Sequence, residues 1–193
     1  MTFSEGTVTR LAAIVLAAML CVSPTAVAQS GFRLSSSDAA EGATLKIEQV
    51  FNGFGCTGQN VSPALAWSGA PAGTRSFALI LHDPDAPTGV GGFTHWIAYN
   101  IPASATGLAK GAGAADGKAL PAGAMQATTS FGAAGYGGPC PPAGDKPHRY
   151  VFTLYALNTD KVALPPNATQ ALAGFTINAA KIGTATFTAL YGR

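Results

Sequence analysis

A chain of 193 residues, 48% hydrophobic and only 10% charged, has material for one folded core and hardly two, and is not a disordered segment. Its formal charge is +2 and it carries no basic run, which excludes a nucleic-acid backbone as partner.

The first residues read as a targeting signal. Arg10 precedes Leu11–Val22, a stretch without charge that is shorter than the about 20 residues a bilayer span needs. Pro24 breaks any helix, and Ala26-Val27-Ala28 is a small-x-small cleavage site. Residues 1–28 are therefore expected to be a secretory signal peptide, cut before Gln29. That leaves a single domain over 29–193, periplasmic or secreted, with no transmembrane segment after cleavage.

Along the mature chain, Gln29–Asp38 is Ser-rich and reads as a loose lead-in. Leu45–Phe51 alternates apolar and polar residues, a strand pattern. Phe77–Leu81 is a continuous apolar run closed by Asp83-Pro84, and Trp96–Ile101 is another, ended by Pro102; both read as buried strands. Ala103–Thr128, rich in Ala and Gly, reads as a long surface connector with room for one short strand. Tyr150–Leu157 is rich in aromatic and β-branched residues and is the clearest strand. Asn167, with Gln170 three residues on, fits a capping box, and Thr176–Gly183 carries Ile177, Ala180 and Ile182 as a second helix. The expected fold is mainly β and antiparallel, with two short helices near the C-terminus.

Cys56 and Cys140 are the cysteines left after the leader. In an oxidising compartment an even pair points to a disulfide; two buried free thiols are the alternative.

Gly53-Phe54-Gly55-Cys56-Thr57-Gly58 matches G-x-G-x-x-G, but Asn60-Val61-Ser62-Pro63 follows where a dinucleotide site needs a helix, so the match is rejected. Asn60 and Asn167 fit a glycosylation pattern too frequent by chance to carry weight. The polar residues that can form a site are Asp83, Asp85, His95, His148 and Tyr150, which sit at strand ends where a β scaffold holds side chains rigid and accessible.

These residues also carry a resemblance. Asp83-Pro84-Asp85-Ala86-Pro87, His95-Trp96, Gly137-Gly138-Pro139-Cys140-Pro141-Pro142 and His148-Arg149-Tyr150 resemble the phosphatidylethanolamine-binding protein family, in particular its bacterial Raf-kinase-inhibitor-like branch (YbhB/YbcL type). Cys56–Leu65 with Trp67 resembles that branch's opening motif, and the likeness runs from about Leu34 to the end of the chain. It implies a two-sheet β fold with a small pocket for phosphate-like groups, phospholipid head groups among them. The pocket would be lined by Asp83, Asp85, His95, Gly138, Pro139, His148 and Tyr150. Some members of the family inhibit kinases or proteases. This sequence departs from the eukaryotic members between Pro87 and His95, where it has only the uncharged, glycine-rich Thr88–Thr94.

Chemically, His95 and His148 can be cationic donors at mild pH, and Tyr150 and loop N–H groups neutral ones. The aspartates orient and charge the imidazoles, or receive an ammonium group. The resulting expectation is a binding module for a small anionic, phosphate-containing group, with no catalytic residue, no cofactor and no metal; inhibition of an extracytoplasmic protein would use surface loops. The rival is a hydrolase working through the same histidines and aspartates, with or without zinc. It is disfavoured by the lack of an i, i+4 histidine pair or an evident nucleophile. The leader makes its own prediction. The intact mass of exported protein should correspond to a chain starting at Gln29, and a mass retaining 1–28 would remove the argument for export.

Overall fold

A computed structural model describes residues 1–2, 31–165 and 167–193, so the leader beyond its first two residues and its cleavage point lie outside the described residues. The strands are β1 (Arg33–Ser36), β2 (Asn52–Gly53), β3 (Cys56–Thr57), β4 (Leu65–Ser68), β5 (Ser76–Asp83), β6 (Phe93–Pro102), β7 (Gly107–Leu108), β8 (Met125–Gln126) and β9 (His148–Leu157). The helix α1 (Gln170–Ala179) and the strand β10 (Lys181–Tyr191) complete the order. Every pairing between these strands is antiparallel. A five-stranded sheet runs β10-β9-β5-β6-β8, a three-stranded sheet β1-β4-β7, and β2-β3 forms a small hairpin.

Alternation along the central strands divides the core in two. Phe77, Leu79 and Leu81 of β5, with Phe152 and Leu154 of β9, pack in one cluster with Leu34 and Trp67 of the smaller sheet. Ala78 faces the other way, where Ile97, Tyr99 and Leu157 pack against Ala173 and Ile177 of α1. The helix thus covers the outer face of the large sheet.

The three strands read from apolar runs are present, each longer than its run. Four expectations need correction. Leu45–Phe51 is turn, not strand: the amides of Gln49 and Val50 donate to the carbonyls of Lys46 and Ile47, and the buried residues Leu45, Gln49 and Val50 do not alternate. The lead-in contains β1, whose Leu34 packs against the core from a Ser-rich sequence. The connector 103–128 holds two short strands, not one, and buries Leu108 and Ala112.

The fourth concerns the second helix, which does not form. Thr176–Ala179 ends the only helix among the described residues, and Lys181 onward is β10, paired along its length with β9. That helix is capped by Thr169, whose hydroxyl accepts from the Leu172 amide at 3.2 Å; Asn167 lies before it with φ 64°. Gln170 instead accepts from the Ser130 hydroxyl.

Cys56 and Cys140 are bonded, 84 residues apart, and tie the β2-β3 hairpin to the loop before β9. Closing so long a loop restricts the unfolded chain by about 4.5 kcal/mol in the chain-entropy account. Non-reducing peptide mapping should recover this one linked pair. The Cys56→Ser/Cys140→Ser variant should lose several kcal/mol of unfolding free energy, and unchanged stability would show that the bond does not form.

Candidate functional site

Because β5 runs antiparallel to both β6 and β9, the end of β5 meets the beginnings of its two neighbours. That places Asp83, His95, His148 and Tyr150 around one cavity of about 190 Å³, at the edge of the core between the sheets.

Asp83 is 2% exposed, and a buried carboxylate is tolerated only when its lone pairs are taken. Its Oδ1 accepts the amides of Asp85 (2.9 Å) and Ala86 (3.1 Å), a turn that Pro84 preorganises. Its Oδ2 accepts Nδ1–H of His148 at 2.8 Å. This bond fixes the tautomer and orientation of an imidazole that is itself buried, and leaves Nε2 3.4 Å from the half-exposed Asp145 carboxylate.

His95 reaches the cavity through a β-bulge. Leu81 pairs with Trp96 but His82 with Thr94, so His95 is the extra residue of β6. A bulge re-aims a side chain, and here it turns the ring against Tyr150, centroids 5.2 Å apart. Nδ1–H of His95 donates to the Gly137 carbonyl at 2.7 Å, so Nε2 of the neutral ring is an acceptor. Burial pushes the His95 pKa down to about 4, against the pull of the Gly137 carbonyl and the Asp83 charge. The expectation of two cationic imidazoles is thus corrected for His95: its desolvation makes it neutral at mild pH.

Tyr150 forms part of the floor and is fully buried. Its hydroxyl has no hydrogen-bond partner of ordinary geometry among the described residues. Desolvation first, then the Asp83 carboxylate, raises its pKa. Gly138 also lines the cavity. Its amide donates to Asn60 Oδ1 at 2.7 Å, and a Cβ there would lie 2.0 Å from the Gln49 carbonyl oxygen, so no larger residue fits without moving backbone.

Two residues expected in the pocket are not in its lining. Asp85 is turned to Arg149, accepting from Nε (2.9 Å), Nη2 (2.8 Å) and the backbone amide (2.9 Å). The guanidinium holds its carboxyl well below the usual range. Pro139 contributes its carbonyl to the Phe51 amide instead. What the sequence reading missed is the apolar wall: Phe54, Phe93, Phe131, Pro141 and Pro142 share the lining. The available signal was Phe54 inside Gly53-Phe54-Gly55, an aromatic in a turn sequence.

Among the described residues no three His, Cys, Asp or Glu side chains converge as metal ligands would, and no helix is long and apolar enough to cross a membrane. The arrangement is a largely apolar receptacle with a few polar groups at one end of a two-sheet β scaffold: a binding pocket carried by strand ends.

The profile of the family described as phosphatidylethanolamine-binding protein matches residues 35–192, and the chain belongs to that family. It is 50% identical over 162 residues to YbcL of Escherichia coli, covering 84% of this chain and 88% of that one. It is 42% identical over 159 residues to YbhB of the same organism, covering 82% and 99%. A Mycobacterium tuberculosis protein named putative lipoprotein LppC is 42% identical over 153 residues, covering 79% and 68%. The crystal structure of Escherichia coli YbcL, described as a new member of the mammalian PEBP family, superposes with a TM-score of 0.82, covering 84% of this chain and 98% of that one at 50% identity.

The burial of His95 has a consequence for stability. Its folded pKa lies below the unfolded value near 6.5, so the fold prefers the neutral ring. The stability this contributes is complete above the unfolded pKa and is lost as pH falls from about 6.5 towards 4. Proton NMR should show the His95 ring titrating only near 4, and the unfolding free energy of His95→Asn should vary less between pH 7 and 4 than that of the wild type. An ordinary titration near 6.5 would contradict the burial argument.

Proposed function

We propose that this protein is a binding protein of the cell envelope or exterior that holds a small anionic, phosphate-like group in the Asp83–His148–Tyr150 cavity. The observation that carries the reading is the pairing, in one cavity, of an imidazole fixed by Asp83 with a buried Tyr150 hydroxyl that has no hydrogen-bond partner of ordinary geometry among the described residues. An unsatisfied buried hydroxyl is costly, and an anionic oxygen is a partner that a phenol O–H favours. Asp145, at 3.4 Å from Nε2, is the internal anion that such a ligand replaces. The leader, the bonded cysteines and the likeness to a protein named as a lipoprotein support an extracytoplasmic setting.

Titration calorimetry with a phosphomonoester tests the reading. His148→Asn keeps a donor for Asp83 but removes Nε2, and should weaken binding by about 1.5–3 kcal/mol. Equal affinity in wild type and variant would rule out the assignment.

A further inference from the structure

The tip of the β2-β3 hairpin is built against local preference. Gly53 pairs with Cys56, so Phe54 and Gly55 form a two-residue loop, and both have positive φ, 53° and 83°. Such a turn favours Asn, Asp or Gly at its first position, because a Cβ in the left-handed region meets the backbone. A phenylalanine there is strained. It is also 70% exposed, so core packing does not explain it.

The ring nevertheless has a defined place. It lies parallel to Phe131, centroids 5.9 Å apart and 10° between planes, and 5.2 Å from Phe51. Phe54 and Phe131 line the cavity that holds His148 and Tyr150. The backbone beneath is held from two sides. The disulfide joins Cys56 to Cys140, itself in the lining. Arg193 donates from Nη2 to the Phe54 carbonyl (3.3 Å), from Nη1 to that of Gly55 (3.2 Å) and from Nε to that of Pro141 (2.7 Å). Strain kept in place by surrounding contacts beside a pocket is a mark of function. A fixed aromatic face also loses little freedom on contact with a ligand.

We propose that Phe54 is a specificity-determining residue: it makes the pocket select organic anions that carry a flat apolar group beside the charged head over bare inorganic anions. This rests on the anion reading of the same cavity, with the strand ends holding the head and Phe54, Phe131 and Pro141 holding the apolar part.

The test compares phenyl phosphate with inorganic phosphate by calorimetry on full-length mature protein. Wild type should bind phenyl phosphate about tenfold more tightly, the worth of one good aromatic contact with some apolar burial. Phe54→Asn suits the turn better than the native residue, so its melting temperature should be equal or higher, while the affinity ratio falls to about two or less. Phe54→Gly, equally at ease with positive φ, is the second variant should the first fold poorly. Equal affinity of wild type for the two probes, or a ratio kept in both variants, overturns the role of Phe54 and leaves the anion reading standing. Failure of wild type to bind either probe overturns the anion reading and this inference with it.

Discussion

A carboxylate buried at the end of a central strand is the constraint on which the site depends. Asp83 has almost no contact with water, and its charge is balanced only because two turn amides and the His148 imidazole converge on it. Each partner is positioned as a result. The amides set the path of the chain after β5, and the imidazole is fixed in tautomer and direction. Taking away one member of such a group leaves an uncompensated buried charge, which is far more costly than the net worth of the contact itself. The turn, the start of β9 and the floor of the pocket are therefore one unit.

The topology brings that unit together without long-range adjustment. With β5 between two antiparallel neighbours, the end of one strand and the beginnings of two others share an edge. One extra residue in β6 then adds His95 to the same edge. The large sheet packs one face on the smaller sheet and the other under α1.

The parts legible in the sequence were those whose chemistry is local. Apolar runs ending in Asp-Pro or Pro marked β5 and β6, and the aromatic and β-branched run marked β9. The C-terminal strand was not legible, because Gly183, Thr184, Ala185 and Thr186 carry little hydrophobic signal and Ile177, Ala180 and Ile182 imitate a helical stripe. Pairing with β9 decides their conformation. Leu45–Phe51 failed for the converse reason: its alternation is real, but the backbone closes on itself in turns. In the site, the Asp-Pro turn and the strand-opening histidines were visible. That Asp85 belongs to Arg149, and that His95 is desolvated by Tyr150, Phe93 and Phe131, depend on register and packing, which sequence spacing does not encode.

Cys140 both closes a covalent loop across a separation of 84 residues and forms part of the pocket lining. Occupancy and thiol chemistry are thereby linked through one wall. A ligand that binds more tightly while the wall is tethered necessarily makes the tether harder to reduce, and reduction must in turn weaken its hold on that ligand. Ligand occupancy would in that case report on the oxidising strength of the surrounding medium.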